Sequence, residues 1–139
     1  MRGFTDRITA DVSTVKGRTG SAMHHRIEAY KFGMISVDGF THVKDLIVLP
    51  DKVIENWHRQ EGHRVHAADL QLHLAGENIR ELIVGTGKFD IMKIDDDVLV
   101  YLDQHDIIMH ALRTADAVIL YNQRELKGIP VAGAFHLTC

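Results

Sequence analysis

The sequence has very little cysteine and no excess of positive charge. Its single cysteine, Cys139, cannot form an internal disulfide, which excludes a disulfide-stapled secreted domain and favours a reducing compartment. Sixteen basic residues against nineteen acidic ones give a formal net charge of −3, so the charge signature of a nucleic-acid-binding protein is missing. We therefore expect a cytoplasmic protein that does not bind nucleic acid.

Long apolar runs are missing as well. No segment approaches the roughly 18 consecutive apolar residues that a membrane-spanning helix needs, so we expect no membrane insertion. Residues 1–25 contain scattered glycines and no sustained apolar period, and we interpret them as a flexible extension, although a vector-derived leader would look the same. Residues 26–139 are the right length for a single domain.

The N-terminal half of that domain has the pattern of antiparallel strands. Two strand-like runs cover residues 30–37 and 40–49. Asp38-Gly39 between them is a strong hairpin signal, because type I′ turns need positive φ at both central positions. Pro50 ends the second run, and residues 52–59 predict a third strand.

Beyond residue 66 the apolar period changes, which predicts helices alternating with strands. Three helices are expected: a short one ending near Gly76, one from about Asp95, and one capped by Thr114 and closed by Gly128 and Pro130. Three strands alternate with them: covered strands at residues 82–84 and 107–109, and a last strand at residues 131–135. The order β-β-β, then α-β-α-β-α-β, predicts a sheet with helices packed on it and a hairpin-rich N-terminal part.

The strand at residues 82–84 leads into a glycine turn, Gly85-Thr86-Gly87-Lys88. Exposed amides in such a turn can bind an anion, and Lys88 adds positive charge. The turn is not a dinucleotide fingerprint, because Asp90 stands where the third glycine belongs, and its spacing is not that of a P-loop. The alternative is that the glycines only provide positive φ.

A second candidate is the polar segment after the third predicted strand. Ligands of open α/β sheets favour the crevice beyond the carboxyl ends of parallel strands, so the loop after Val84 and the Arg113-Thr114 turn should share one edge. If residues 57–69 fold over that edge, an Arg, a His and glycine amides converge on a carboxylate or phosphate. The candidate ligand-binding residues are therefore Trp57, Arg59, His63, Gly85, Thr86, Gly87, Lys88 and Thr114. The alternative has Trp57 in the core, Arg59 in a structural ion pair and the histidines in solvent.

Histidine is the one residue type in excess, with ten copies. The donors for a zinc site would come from His58, His63 and His66, with His136 or Cys139 as further candidates. Their spacing matches no known ligand motif, and we predict neither metal nor cofactor. Nucleophilic chemistry at Cys139 would need a thiolate stabilised by His136 or another positive neighbour. No complete acid/base or nucleophile set is evident, so we assign no catalytic residue.

Five local patterns together resemble a known family. They are Lys44-Asp45 before Pro50, Trp57 with Arg59, Gly85-Thr86-Gly87, Thr114-x-x-Ala117-Val118-x-x-Tyr121-Asn122, and Phe135-His136-Leu137-Thr138-Cys139. They resemble the Mth-type domain family, which includes the adipogenesis-associated Mth-domain-containing protein and, more distantly, a mitochondrial assembly factor of respiratory complex I. The resemblance implies a three-layer α/β fold with a mixed sheet, no established catalytic activity, and association with assembly or regulatory processes.

Our leading hypothesis from the sequence is a non-catalytic binding or assembly-accessory protein with a protein partner. The alternative is a small-anion binding protein or enzyme that uses the Gly85–Gly87 loop with Arg59, His63 and Lys88.

Overall fold

The structure, a computed structural model, describes residues 25–139, which form ten strands and three helices. In chain order these are β1 (Ile27–Lys31), β2 (Met34–Val37), β3 (Phe40–His42), β4 (Leu46–Leu49), β5 (Lys52–Ile54), β6 (Arg64–Val65), α1 (Ala67–Leu74), β7 (Glu81–Thr86), β8 (Lys93–Ile94), α2 (Asp96–Gln104), β9 (Ile108–Leu112), α3 (Thr114–Leu126) and β10 (Val131–His136). Apart from His25, the extension expected at residues 1–25 lies outside the described residues.

A five-stranded mixed sheet forms the centre, in the order β9-β7-β10-β4-β5. The inner strand β7 pairs in parallel with β9 and with β10, and β10, the middle strand, pairs antiparallel with β4. Gly85 lies opposite Leu112 on one side and Phe135 on the other. The chain thus has the predicted mixed sheet, and the strand that carries the glycine turn lies inside it.

The two faces of this sheet are covered by different elements. Leu82 and Val84 belong to a buried cluster that includes side chains of α1 and α2. Ile83 belongs to a second cluster, formed with α3 and with the first two strands of the small antiparallel sheet β1-β2-β3. Adjacent residues of a strand point to opposite faces, so β7 is apolar throughout because both of its faces are covered. The three-layer α/β architecture is therefore confirmed.

The N-terminal hairpin is confirmed, but the strand lengths are not. Asp38 and Gly39 have φ angles of 52° and 84°, as the hairpin turn requires. The run at residues 30–37 is split by a tight turn at Gly33, whose φ is 80°, and the run at residues 40–49 is split between β3 and β4. The prediction of two long strands was wrong because the first run forms a hairpin within the small sheet, while the second run passes from the small sheet to the central one.

The third predicted strand is also shorter than expected. β5 ends at Ile54, and Asn56 adopts a positive φ of 56° that turns the chain away from the sheet. This turn brings Trp57 into the core, where it is 4% exposed and its Nε1 donates to the Asp69 carbonyl at 2.9 Å. The predicted strand at residues 52–59 therefore stops early, because the chain turns to bury the indole ring of Trp57.

Two further predictions for the C-terminal half were wrong in detail. The second strand, β9, is an edge strand with Ile108 56% exposed, because β7 is its one neighbour in the sheet. Arg113 is the N-cap of α3 and Thr114 is its first residue, with no side-chain cap. The start of α2 is confirmed: Asp95 is its N-cap and accepts a hydrogen bond from the Asp97 amide.

The three helices described in residues 25–139 are all too short or too polar to cross a membrane.

Candidate functional site

The loop after β7 and the Arg113-Thr114 turn meet at one edge of the sheet, as predicted, and the carboxyl end of β10 lies at the same edge. The Gly87 amide donates to Thr114 Oγ1 at 2.8 Å, and that hydroxyl donates to the His136 carbonyl at 2.6 Å. Thr114 is fully buried. Its hydroxyl therefore fixes the glycine turn, the helix and the last strand to one another, a role that a cap prediction does not describe.

Close packing explains both glycines of the turn. Gly85 lies within β7 rather than in the turn, and a Cβ there would be 2.8 Å from Thr114 Oγ1. Gly87 has a positive φ of 99°, and a Cβ there would collide with the backbone of Cys139. The Lys88 amide donates to the Thr138 carbonyl at 2.7 Å. Two amides of the turn are thus bonded within the protein, at Gly87 and Lys88.

A charged network lies beside this turn. Asp45 Oδ2 contacts Arg59 Nη2 at 2.8 Å and His136 Nδ1 at 2.7 Å, and Asp45 Oδ1 accepts the Leu137 amide at 2.8 Å. The Arg59 side chain is only 5% exposed and its guanidinium stacks 4.7 Å from the centre of the Trp57 ring. The network joins the residue before β4, the loop after β5 and the end of β10.

The network keeps Asp45 ionised. Burial by itself raises the pKa of the Asp45 carboxyl, but its three hydrogen-bond donors outweigh burial and hold that pKa below its ordinary value. An ionised carboxylate can only accept hydrogen bonds, so His136 must donate from Nδ1. In the neutral imidazole this leaves the lone pair on Nε2.

Two further side chains complete the cluster at the surface. Nε2 of His63, which is exposed, lies 3.2 Å from Sγ of the half-buried Cys139. The rings of His63 and His136 meet edge to face with their centres 5.7 Å apart. One donor atom from each of His63, His136 and Cys139 lies within 4.8 Å of the others. This arrangement has the donors of a metal site and also the pairing of a thiol with an imidazole.

The predicted site residues separate into two groups. Arg59, His63, Gly87 and Thr114 meet at the predicted edge, while Trp57 is a core residue. Thr86 is buried, and its hydroxyl lies 2.6 Å from Asp90 Oδ1 and 2.9 Å from the Leu112 carbonyl.

Lys88 is exposed at the same end of the sheet, but its ammonium lies over aromatic rings, 6.0 Å from Phe32 and 5.6 Å from Phe89. Two other residues of the polar segment lie away from this edge. The His66 side chain is hydrogen-bonded to Glu61 at 2.6 Å, and Asp69 accepts a hydrogen bond from the His66 amide at the start of α1.

Sequence reasoning missed the central acid of this site. Asp45 was noted as part of a family pattern, but nothing singled it out as a partner of His136. Its one local signal is its place immediately before a four-residue apolar strand, where a charged side chain is held at the end of the sheet.

A cleft of about 430 Å³ lies at the opposite end of the sheet, near the start of β10. Its lining includes His25, Glu77, Tyr121, Glu125 and Pro130. Burial and the neighbouring Asp51 raise the pKa of Glu77, while Lys52 pairs with it at 3.6 Å. This cleft contains none of the candidate ligand-binding residues predicted from the sequence, so it is a separate feature from the edge described above.

Comparison with known proteins identifies the family. The family model described as a protein of unknown function (DUF498/DUF598) matches residues 27–136. The fold is similar to those of a conserved hypothetical protein from Pyrococcus horikoshii (21% identity over 82% of this chain and 99% of that chain, TM-score 0.70), a protein from Xanthomonas campestris (22%, 86% and 89%, 0.69) and a Mth938-like domain of Bordetella pertussis (17%, 90% and 92%, 0.65). The resemblance to the Mth-type domains is confirmed, and the chain belongs to the DUF498/DUF598 family of proteins of unknown function.

Proposed function

We propose that this domain is a non-catalytic binding or assembly-accessory module that docks a protein segment on an apolar surface around Lys88. The Lys88 surface is defined by Phe32, Lys88, Phe89 and Ile91. The single observation that carries the proposal is the exposure of large apolar side chains around one cation. Phe32 is 51% exposed and Phe89 61%, with both ring centres within 6.0 Å of the Lys88 ammonium, and Ile91, three residues after Lys88, is 43% exposed. Grouped exposed apolar side chains are typical of protein interaction sites.

The Lys88 surface is anchored from behind. The turn that carries Phe32 is fixed by the Gly33 amide, which donates to the Leu137 carbonyl at 2.9 Å. The turn that carries Phe89 is fixed by the Lys88 amide on Thr138, and the Ile91 amide donates to the Cys139 carbonyl at 3.3 Å. Two backbone segments, residues 32–33 and 88–91, are thus attached to the chain at Leu137, Thr138 and Cys139. This attachment reduces the ordering entropy that a partner must overcome.

The chemistry of the surface specifies the partner. Among residues 25–139, Lys88 has no carboxylate within ion-pair distance, although the chain as a whole is acidic. Aromatic rings can serve as binding anchors, and a cation between them favours an acidic group. The partner we propose is a protein segment with an aspartate or glutamate flanked by large apolar side chains.

The small-anion alternative has weaker support. It requires free amides at Gly87 and Lys88, and both donate to groups of the protein itself. It also requires the ammonium of Lys88 beside Arg59 and His63, whereas that ammonium lies over Phe32 and Phe89. What favours an anion is that Nε and Nη1 of Arg59 have no hydrogen-bond partner in the described part of the chain, but both atoms are buried.

A peptide titration tests the docking proposal. Synthetic peptides that carry one glutamate between leucine and phenylalanine residues are titrated into the full chain and followed by amide chemical shifts. We expect saturable shifts at residues 32–33 and 88–91, and affinity reduced roughly tenfold by Phe89→Ser or Lys88→Glu, in the range of interface anchor residues.

Leu72→Ser provides the matched control, because Leu72 is 81% exposed on α1 and is not part of the Lys88 surface. This variant should bind the peptides as the native chain does. Peptides that fail to saturate, or equal losses in Leu72→Ser and Phe89→Ser, would show that the surface does not dock such a segment. The peptide-free chain is also compared with a variant that lacks residues 1–24. If the deletion changes the amide shifts of residues 32–33 and 88–91, and only the deleted variant binds the peptides, the surface is covered by the chain's own N-terminal residues and the external partner is rejected.

A further inference from the structure

The cluster of His63, His136 and Cys139 contains a buried imidazole nitrogen that no other group satisfies. The His136 side chain is 7% exposed, and within the described residues its Nε2 has no hydrogen-bond partner. A Cβ on Gly87 would touch both His136 Cδ2, the atom next to Nε2, and the backbone of Cys139. The Cδ2 edge of the ring, next to the unpartnered Nε2, therefore lies close to the backbone of Gly87 and Cys139.

The opposite nitrogen of the same ring is fixed by a carboxylate. Nδ1 of His136 lies 2.7 Å from Asp45 Oδ2, and Arg59 and the Leu137 amide hold Asp45 in place. Histidines that bind metals usually donate their second N–H to a carboxylate or carbonyl, which sets the tautomer and the ring orientation. His136 is held in this way before any ion is bound.

The remaining two donors are accessible. His63 Nε2 and Cys139 Sγ are 3.2 Å apart, and the three donor atoms lie within 4.8 Å of one another. Ligand atoms around a tetrahedral zinc ion are about 3.3 to 3.6 Å apart, given Zn–N and Zn–S bonds of about 2.0 and 2.3 Å. The three donors thus need only a small movement of the exposed His63 to surround one ion.

We propose that His63, His136 and Cys139 form a binding site for one zinc-class ion, with Asp45 as the carboxylate that orients His136. Two imidazoles and a thiolate suit a borderline-soft ion, while calcium and magnesium prefer oxygen ligands. Three protein ligands leave a fourth position for water or another ligand, on the side where His63 is exposed. The site is distinct from the Lys88 surface, since none of its three ligands is part of that surface, although the Cys139 carbonyl anchors Ile91 from behind.

We do not propose a metal site at the second group of clustered donors. His66, Asp95 and Asp97 also lie close together, but their polar atoms are occupied at helix starts. His66 Nε2 bonds Glu61, and Asp97 Oδ1 accepts the Ala67 amide at 2.9 Å. Their closeness is explained by the starts of α1 and α2.

Zinc and cobalt binding to the full chain, purified without a histidine tag, tests the proposal. Calorimetric titration should give one zinc ion per chain, and Co²⁺ should produce a thiolate-to-metal charge-transfer band in the near ultraviolet. His63→Ala and Cys139→Ser should each weaken zinc binding roughly tenfold or more. Since Cys139 is the only cysteine, zinc should also slow its alkylation by iodoacetamide.

His58→Ala is the matched control, because His58 is exposed in the same loop and is not among the clustered donors. It should bind zinc as the native chain does. Replacing His136 would also remove its bond to Asp45 and destabilise the fold, so the role of His136 is measured in the native chain. Zinc should shift the ¹⁵N signal of His136 Nε2. No zinc binding, no charge-transfer band, an unshifted Nε2, or equal weakening by His58→Ala and His63→Ala would each overturn the site.

Discussion

Asp45 is a single carboxylate that holds together three parts of the chain distant in sequence. It accepts hydrogen bonds from Arg59, from His136 at a separation of 91 positions, and from the Leu137 amide. Its Oδ2 forms an ion pair with the guanidinium of Arg59, whose side chain is almost fully buried. Replacing one member of such a pair leaves the other charge buried without compensation, which costs far more than the net value of the pair.

We predict that Asp45→Asn destabilises the chain by about 3 kcal/mol at pH 7. The folded pKa of Asp45 is lowered, so its contribution is complete above the unfolded pKa and is lost as pH falls through the folded pKa. Urea denaturation of native and variant chains between pH 7 and pH 3 should therefore give a difference that narrows on acidification below about pH 4.

Asp103→Asn, at an exposed position on α2, is the control and should change stability little at any pH in this range. A penalty for Asp45→Asn that grew on acidification would contradict the ionised state assigned to Asp45.

At the scale of elements, one side chain adds two hydrogen bonds to the apolar packing between the small antiparallel sheet and α3. Asn122 Oδ1 accepts the Ile27 amide at 3.1 Å, and Asn122 Nδ2 donates to the Ile27 carbonyl at 2.8 Å. The side chain thus satisfies both backbone groups of a residue that is only 2% exposed at the start of β1. This gives a structural reason for asparagine at a position that the sequence marks as part of a family pattern.

We predict that Asn122→Ala costs about 2 kcal/mol, because it leaves a buried amide and a buried carbonyl without partners. Urea denaturation should measure the loss, and hydrogen exchange should show faster exchange at the Ile27 amide. Gln123→Ala, at the exposed neighbouring position, should change neither quantity appreciably. Protection of the Ile27 amide that persisted in Asn122→Ala would mean that another group anchors β1.

At the scale of the whole molecule, one sheet supports two separate cores. Leu82 and Ile83 are neighbours in β7, yet each is fully buried in a different cluster. The strand that carries them pairs with β9 and β10, so a loss of order on one face removes the surface on which the other face packs. Small domains of this kind usually unfold in a single cooperative transition.

We predict that Leu82→Ala and Ile83→Ala each destabilise the chain by about 2 to 5 kcal/mol and preserve one transition. Differential scanning calorimetry should give equal calorimetric and van't Hoff enthalpies for both variants. Ile108→Ala, on the exposed edge strand, should cost less than about 0.5 kcal/mol. Two resolved transitions in either core variant would show that the two layers fold independently.

Local chemistry in the sequence determined the order of the elements. Four elements depend on interactions between residues a few positions apart: the Asp38-Gly39 hairpin, the covered inner strand β7, the start of α2 after Asp95 and the end of α3 before Gly128. Positive φ, helix capping and apolar period act over that range, so each leaves a signature that can be read without the fold. The family patterns added the mixed sheet and its three layers.

The tertiary structure alone decided the site and the strand neighbours. β10 inserts between β7 and β4, which brings His136 to Asp45 and Cys139 to His63, pairs separated by 91 and 76 positions. The same insertion leaves β9 at the edge and makes Gly85 and Gly87 necessary, because Thr114 and Cys139 pack against them. Contacts of this kind depend on which strand fills a gap in the sheet, and no interaction between residues close in sequence carries that information.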